Sequence, residues 1–335
     1  MTLLDSDLHR SPSAIVLIPV FNDWEALERL LWSLDETFLD RDIRVDILIV
    51  DDASIAPAPT ELKFFSFKAI ERVNILELKR NLGHQRAIAI GLAYIAANLN
   101  CKVVVVMDGD GEDNPQDVPR LINCCQAESN AKVIFAKRTK RSETYLFKAF
   151  YLVYKLVYKL LTGHHIQVGN FSVIPYQLLS RIVVISEIWN HYAAGIMRAR
   201  IPYTEIATKR SNRLFGRSKM NFVSLVTHGI SSISVYADIV GTRLIISVSV
   251  IVLLILISLG GIVSIKLFTS LAIPGWTSIA VGILCSILMQ AVMLSIVFAL
   301  MILNTRNSYG FMLGQDYYYF VSKLKEVFSR EVLSK

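Results

Sequence analysis

The sequence predicts an α/β domain with a mostly parallel sheet, followed by two C-terminal transmembrane helices. Three observations predict this fold class. Short runs rich in Val and Ile alternate with helical patterns between residues 14 and 136. Two of these runs lead directly into acidic motifs, Asp51-Asp52 and Asp108-Gly-Asp110. Two long apolar runs without charge lie between residues 244 and 303, in a chain that is 53% hydrophobic.

Five apolar runs are the predicted strands of the sheet. Near-continuous Val and Ile runs of this length, separated by helices, are typical of parallel strands buried on both faces. Ligands of such sheets bind beyond the carboxyl ends of the strands, and both acidic motifs are expected at that edge. The runs are Ala14–Val20, Val45–Val50, Val73–Leu78, Val103–Met107 and Lys132–Ala136.

Three helices are predicted between these strands. The first follows the capping arrangement Asn22-x-x-Glu25 and continues to about Leu34. The second covers Gly83–Asn98. The third begins with Asn114 and Pro115, residue types that are favoured at the N-cap and at the first helical position.

Two uncharged apolar runs, Leu244–Ile265 and Ile279–Leu303, are the predicted membrane spans. Each exceeds the roughly 20 residues that a helix needs to cross the hydrocarbon core. A pair of buried core helices is the alternative, but uncharged runs of this length are typical of spans. The segment between them contains Pro274, Gly275 and Trp276, which indicates a short turn with an interfacial aromatic residue. Both flanks are therefore expected on one side of the membrane.

The distribution of charge predicts which side that is. Lys and Arg are concentrated before the first span and after the second, whereas the connecting turn has only Lys266, as the positive-inside rule expects of cytoplasmic flanks. Residues 1–12 contain no apolar segment, so no signal peptide is predicted. We expect a multi-pass protein of the inner (plasma) membrane, with the large domain and both termini in the cytoplasm. Four cysteines without a disulfide framework fit that reduced compartment.

Two further segments are predicted to lie along the membrane surface. Residues 145–161 place three lysines on one helical stripe among apolar and aromatic residues, which is the pattern of an interfacial helix. An ordinary amphipathic helix packed on the domain is the alternative. Residues 221–243 are the second such segment, a juxtamembrane helix. The predicted organisation is a tail over 1–12, the α/β domain over 13–220, spans over 244–265 and 279–303, and a cytoplasmic tail over 304–335.

The net charge of +7 does not indicate a nucleic-acid partner. The basic residues crowd beside the spans, where an anionic bilayer surface or a phosphate substrate accounts for them. We therefore expect the lipid bilayer, and no nucleic acid, among the partners.

The motif Asp108-Gly-Asp110 is typical of a divalent-cation site. Two carboxylates two residues apart can both reach one hard cation, which prefers oxygen ligands and keeps substrate phosphates in its shell. Glu112 adds a third acidic residue at an alternate position. Loop acids are usually solvated or capping, but the preceding strand and the second acidic strand end at Asp51-Asp52 favour a ligand site.

Four motifs follow one another as in glycosyltransferase family 2, whose enzymes have the GT-A fold, and the chain resembles that family. The segment that follows and the two spans are similar to its polyprenyl-phosphate branch. The resemblance implies inverting, metal-dependent transfer of one sugar from a UDP- or GDP-sugar to polyprenyl phosphate, and it implies a homo-oligomer. The motifs are Ile18-Pro-Val-Phe-Asn22, Val50-Asp-Asp-Ala-Ser54, Asn81-Leu-Gly-His-Gln85 and Met107-Asp-Gly-Asp-Gly-Glu-Asp-Asn-Pro115, then Arg213-Leu-Phe-Gly-Arg-Ser-Lys219.

The resemblance also implies roles for individual residues. The nucleotide pocket would be lined by Pro19, Asp51, Asp52 and Asp108. Mg²⁺ or Mn²⁺ would be held by Asp108 and Asp110, with Glu112 where relatives often have Gln, and the catalytic residues would be Asp108, Asp110 and Arg138. The lipid phosphate would be bound by Arg138, Arg141, Arg213, Ser218 and Lys219, for whose basic members a solvated or headgroup-facing charge is the alternative. His84 is expected to be a hydrogen-bonding or packing residue.

The chain departs from the family pattern at three places. Gly169-Asn-Phe-Ser172 stands where many relatives have Gly-Asp-Phe-Arg, Ile188-Trp-Asn-His191 follows Glu187 where relatives often have Arg, and Arg86 replaces a usually small residue. These departures leave the donor sugar open. Two alternative functions follow from them: transfer to another lipid acceptor such as a diacylglycerol, and a catalytically inactive membrane scaffold that binds nucleotide-sugars.

Overall fold

The structure is a computed structural model, and it describes residues 12–41, 43–58, 66–138, 145–164, 168–209, 222–269, 275–307 and 312–330. It divides into two compact units. The first contains Met1–Phe150, Ile166–Val235 and Gly310–Lys335, and the second contains Tyr151–His165 and Tyr236–Tyr309. Each unit is described by itself below.

One eight-stranded mixed sheet forms the centre of the first unit, in the order β7-β5-β6-β4-β1-β2-β3-β8. Strands β1 to β4 pair in parallel, as do β5 and β7, whereas β6 and β8 run antiparallel to their neighbours. The predicted α/β class with a mostly parallel sheet is confirmed. The strands are β1 (Ala14–Val20), β2 (Val45–Asp51), β3 (Ile70–Leu78), β4 (Val103–Val106), β5 (Val133–Arg138), β6 (Ser172–Pro175), β7 (Tyr203–Thr208) and β8 (Val321–Ser329).

Three of these strands were not predicted from the sequence. Strand β6 has only four residues, β7 is largely half-exposed, and β8 alternates charged with apolar residues, so none of them shows the buried Val/Ile pattern of the others. Strand β8 lies in the segment that the sequence indicated as a tail, 304–335. It pairs antiparallel with β3 from Leu78–Val321 to Arg72–Ser329 and so closes one edge of the sheet.

The helices of the described residues follow the predicted order, with differences at their ends. The first continues to Phe38, beyond the predicted Leu34, and the third begins at Asp117 because Asn114 and Pro115 form a preceding turn. The predicted segment 221–243 is interrupted at 235–236. The helices are α1 (Trp24–Phe38), α2 (His84–Asn98), α3 (Asp117–Ala127), α4 (Tyr145–Thr162), α5 (Tyr176–Ile182), α6 (Tyr192–Arg198), α7 (Phe222–Ser234), α8 (Ala237–Phe268), α9 (Trp276–Asn307) and α10 (Leu313–Asp316).

Two apolar cores cover the two faces of the sheet. Alternate residues of each strand point to opposite faces, so Leu17 packs in one core and Ile18 in the other. The first core is made with α2, α5 and α6, and the second with α1 and α3. Helix α2 approaches β1 so closely that a Cβ at Gly91 would lie 2.4 Å from Leu17 Cδ1. This close packing holds the middle of α2 against the sheet.

The second unit contains two long apolar helices, α8 and α9, which enclose the two predicted spans. Each is long and apolar enough to cross a membrane, and only 6% of the most apolar window of each is buried within the protein. Their side chains are therefore available to lipid, which fits a membrane-associated protein. The end of α4 is tied to α8, since Arg243 Nη1 donates to Leu160 O at 2.8 Å and a Cβ at Gly163 would lie 2.6 Å from Arg243 Nη2.

Replacing Asp35 in α1 should destabilise the first unit by about 3 kcal/mol. Its carboxylate is 5% exposed and accepts hydrogen bonds from the backbone N–H groups of Lys68, Ala69 and Ile70, which lead into β3. Asp35→Ala leaves these donors without an acceptor, at a cost of about 1–3 kcal/mol for each one that stays buried. Chemical unfolding of the full chain in detergent measures the loss. Asp40→Ala, at an exposed position of the same segment, should leave stability unchanged.

Replacing Asp46 in β2 should stabilise the first unit, in contrast to Asp35, and the gain in stability should depend on pH. Burial raises the pKa of Asp46 to about 6, and its Oδ1 finds no hydrogen-bond donor among the described residues. The folded state therefore retains a proton that the unfolded chain releases near pH 4, and stability falls as pH rises from about 4 to 6. Asp46→Asn should raise the free energy of unfolding by about 2 kcal/mol at pH 8 and by little at pH 4. An equal effect at both values would contradict this account.

Candidate active site

The candidate site lies at the carboxyl ends of β1, β2 and β4, where two loops are held by backbone bonds. Asp52 N donates to Val20 O at 2.9 Å, and Met107 N donates to Leu17 O at 3.2 Å. Pro19 is buried in β1, paired in register with Val50. The acidic motifs therefore leave the sheet side by side, as the parallel pairing of their strands requires.

Asn22 organises the loop after β2. It has a left-handed backbone, with φ of 51°, and its Oδ1 accepts from Ile55 N and Ala56 N at 2.8 and 3.3 Å. Its own N–H donates to Ser54 Oγ at 2.8 Å. The side chain that was predicted to cap α1 is thus used to position the loop, and Asp23 stands at the N-cap without a side-chain capping hydrogen bond to the helix.

The two acids that end β2 make different contacts. Asp51 Oδ1 accepts from Ser54 N at 2.9 Å and so closes its own turn. Asp52 is 3% exposed, and its two carboxylate oxygens accept from Leu82 N and Gly83 N at 2.7 and 2.8 Å. Burial raises the pKa of both groups. Asp52 thus anchors the start of α2 to β2, and its role in nucleotide binding stays a prediction.

The acidic loop after β4 is stabilised by hydrogen bonds between its own residues. Asp113 is 4% exposed and its Oδ2 accepts from Asp108 N at 3.1 Å, while Asp110 Oδ1 accepts from Glu112 N at 3.0 Å. Gly109 packs against the end of β1, where an added Cβ would lie 3.2 Å from Pro19 O. The glycine between the two acids therefore lets the loop lie against the strand, and the carboxylate of Asp108 stays 23% exposed.

Asp108 is joined to a polar network that the acidic motif does not reveal. Its Oδ1 lies 2.9 Å from His84 Nε2 and 3.4 Å from Asn170 Nδ2. Asn170 Nδ2 also lies 3.0 Å from His84 Nε2, and Gln85 Nε2 donates to Asn170 Oδ1 at 3.1 Å. The network brings the first turn of α2 and the loop before β6 to the end of β4.

Two buried residues, Ser172 and Tyr192, make hydrogen bonds to this network. Gln85 Oε1 accepts from Tyr192 N at 2.6 Å, and Ser172 Oγ donates to Asn170 O at 2.9 Å. Ser172 Oγ also lies 2.8 Å from the hydroxyl of Tyr192, and both side chains are fully buried. Because Ser172 holds the backbone of Asn170, the two departures from the family motif form one structural unit here.

The acidic residues around His84 favour the protonated form of its imidazole. Although burial opposes the charged ring, the neighbouring carboxylate of Asp108, helped by Asp110 and Asp113, raises the pKa of His84. The prediction that His84 is a hydrogen-bonding residue agrees with its contact to Asp108. The imidazole of His84 and the amide of Asn170 both contact Oδ1 of Asp108. These two contacts fix the orientation of the Asp108 carboxylate.

The donor set at this edge fits a hard divalent cation bound together with a substrate. Within the described residues no group of three or more His, Cys, Asp and Glu side chains could hold a metal by itself. Mg²⁺ is usually bound by one or two carboxylates, with substrate phosphates and waters completing its shell. Asp108 and Asp110 supply two carboxylates of this kind, and their role as metal ligands stays a prediction. The place of Glu112 as a third ligand stays a prediction.

The structure brings part of the predicted set together. Asp51, Asp52, Pro19, Asp108, Asp110 and Glu112 all lie at the carboxyl edge of the sheet. Arg138 is the last residue of β5, paired with Thr208. Arg141, Arg213, Ser218 and Lys219 lie outside the described residues. The sequence interpretation assigned no site role to His84, Gln85 or Asn170. A site role for His84 and Gln85 could have been predicted from their position after the end of β3, at the edge where ligands bind.

The chain belongs to glycosyl transferase family 2, since the model of that family matches residues 15–189, more than half of the chain. It is a glycosyltransferase, as predicted. The uncharacterised glycosyltransferase YkcC of Bacillus subtilis (strain 168) is 26% identical over 284 residues, which are 79% of this chain and 81% of that protein.

A second relative has a named substrate. The undecaprenyl-phosphate 4-deoxy-4-formamido-L-arabinose transferase of Salmonella choleraesuis (strain SC-B67) is 24% identical over 218 residues, which are 63% of each chain and less than two thirds of that protein. Among solved structures, glucosyl-3-phosphoglycerate synthase from Mycobacterium tuberculosis, in complex with Mn²⁺, UDP and glucosyl-3-phosphoglycerate, aligns with a TM-score of 0.49 and 13% identity, over 70% of this chain and 82% of that one.

Proposed function

We propose that this glycosyltransferase transfers a single sugar from a nucleotide-sugar to polyprenyl phosphate at the cytoplasmic face of the inner membrane, with inversion at the anomeric carbon. The observation that carries the proposal is the partly exposed carboxylate of Asp108, held by His84 and Asn170 at the carboxyl edge of the sheet. The similarity to the undecaprenyl-phosphate sugar transferase supports the class of acceptor.

The residues of the chain bind and orient the donor in this proposal. The loop shaped by Asn22 and Ser54 borders the nucleoside, and the first turn of α2 faces the diphosphate with the positive end of its helix dipole. Asp108 and Asp110 would hold a divalent cation, Mg²⁺ or Mn²⁺, which would supply positive charge to the nucleoside diphosphate. The network of Gln85 and Asn170 keeps the carboxylate of Asp108 in place, so little reorganisation accompanies charge development.

The acceptor explains why no strong general base is required. A phosphate monoester has a second pKa near 6, so its attacking oxygen is already charged at neutral pH. Attack in line with the leaving diphosphate inverts the anomeric centre. His84 is bound to Asp108 and orients it, and it neither gives up nor takes up a proton during the reaction.

The apolar helices of the second unit anchor the chain, in this proposal, in the membrane that contains the acceptor. Helices α8 and α9 span the bilayer, and α4 lies in the interface with its exposed stripe of Leu152, Leu156 and Leu160 toward the acyl chains. Lys155 and Lys159 on the same helix suit an anionic surface. Anchoring of this kind raises the effective concentration of a membrane-bound acceptor.

The proposal is tested with the purified full chain in detergent, undecaprenyl phosphate, Mn²⁺ and a panel of radiolabelled UDP- and GDP-sugars. The expected result is one lipid-linked product that is labile to mild acid, as a glycosyl phosphate is. Nucleotide binding without any lipid product would replace the proposal by a binding scaffold. A product that resists mild acid would point to another lipid acceptor, such as a diacylglycerol.

A further inference from the structure

Arg86 lies beside the site and has no role in the proposed reaction so far. It is the third residue of α2, directly after His84 and Gln85, and its guanidinium carbon lies 5.3 Å from the centre of the Trp189 ring. No described residue accepts a hydrogen bond from this guanidinium or pairs with its charge. The side chain is half-buried. An arginine whose five N–H donors meet no acceptor among the described residues is available to a ligand.

The indole of Trp189, on which Arg86 lies, has packing contacts of its own. Trp189 packs on Phe320 with ring centres 5.2 Å apart, and three residues further along the chain Tyr192 N is bonded to Gln85. Trp189 ends a 3₁₀ helix, Ser186–Trp189, and the acid of that helix, Glu187, is paired with Arg198 at 3.1 Å. The indole therefore receives Arg86 on its face, a favourable cation–π arrangement, while the nearby carboxylate is taken.

We infer that Arg86, presented on Trp189, is an oxyanion subsite next to the Asp108 network, which binds a carboxylate or phosphate group of a substrate. A stacked guanidinium is held in plane, so its fork can bind an oxyanion through two parallel hydrogen bonds with less loss of side-chain freedom. Gln85, which belongs to the network, and Arg86 follow each other in the first turn of α2. A ligand group bound to Arg86 therefore lies at the same helix end as the Asp108 network.

Two sources share this chemistry. The oxyanion is either an acidic substituent of the donor sugar or the phosphate of the lipid acceptor. The inference rests on the proposed function for its choice of substrates, and it is tested by binding alone, so that a failure to detect lipid-linked product does not decide it.

The test compares matched probes, with and without one anionic group, on the full chain in detergent by isothermal titration calorimetry. UDP-glucuronate is compared with UDP-glucose, which lacks the carboxylate, for the donor source, and farnesyl phosphate is compared with farnesol, which lacks the phosphate, for the acceptor source. Arg86→Gln should weaken binding of the probe that carries the anionic group at least tenfold in one pair and leave binding of its partner without that group unchanged. Arg86→Lys should retain part of the preference, because it keeps the charge but loses the planar fork.

Two further variants separate binding from structure. Trp189→Phe keeps an aromatic face and should retain the preference, whereas Trp189→Leu should weaken it. Arg181→Gln, at an exposed position on α5, is the matched control and should bind all probes as the unaltered chain does. Loss in the donor pair or in the acceptor pair supports the subsite and names its source. If Arg86→Gln keeps the affinity of Arg181→Gln for both anionic probes, the subsite is wrong.

Discussion

Asp108→Asn should lower the rate of sugar transfer by about a thousandfold without unfolding the protein. The amide has nearly the shape of the carboxylate, so contacts to His84 and Asn170 can be kept in altered form. What is lost is the negative charge that would hold a divalent cation on the diphosphate. Removing a group that stabilises charge only in the transition state typically costs about 10²–10³ in rate, and here the cation's contribution is weakened as well.

Two measurements separate this effect from damage to the fold. The first is the rate of lipid-linked product formation, and the second is the shift of the melting temperature produced by UDP with Mn²⁺. Asp108→Asn should lose the metal-dependent part of that shift and keep its melting temperature in the absence of ligands. Asp40→Asn, an exposed acid outside the site, should behave as the unaltered chain. A metal-dependent shift that survives in Asp108→Asn would show that the cation is bound elsewhere.

The central strands could be predicted from the sequence because each is a short run of apolar residues buried on both faces. Strands β1, β2 and β4 show that pattern most fully, whereas β3 has polar residues between its buried ones. Parallel pairing then places the residues after β1, β2 and β4 at one edge. Strand β8 has no such signal. Its partner β3 is distant in the chain, so the pairing of Leu78 with Val321 follows from tertiary packing and from no local preference.

The positions of the acidic site residues could be predicted from the sequence for the same reason, whereas the position of Asn170 could not. Asp51 and Asp108 follow buried strands directly, so topology alone fixes their location. The contact between His84 and Asn170 joins residues 86 positions apart, across the antiparallel strand β6 that the sequence did not predict. Without β6, nothing places Asn170 beside Asp108. The sequence alone shows Asn170 and Ser172 as departures from a motif, whereas in the structure both are hydrogen-bonded within the network at Asp108.

Asn170→Asp should lower the rate of transfer about a hundredfold, although many relatives have Asp at this position. In this chain Asn170 Nδ2 lies 3.4 Å from Asp108 Oδ1 and its Oδ1 accepts from Gln85. The substitution replaces a donor by a second carboxylate. Two unit charges at about 3.4 Å repel by about 5 kcal/mol at an effective dielectric constant of 20, before the side chains move apart. Residual repulsion of half that size accounts for the predicted loss.

The kinetic pattern distinguishes this repulsion from a simple loss of contacts. Asn170→Ala removes the donor but adds no charge, so its rate should fall only about tenfold. Asn170→Asp should be partly rescued at high Mn²⁺ concentration, because an additional cation offsets the second carboxylate, whereas Asn170→Ala should not be rescued. Asn100→Asp, exposed beyond the end of α2, controls for added charge and should be neutral. Equal losses in Asn170→Ala and Asn170→Asp would mean that Asn170 acts through its amide contacts alone and that the charge next to Asp108 is tolerated.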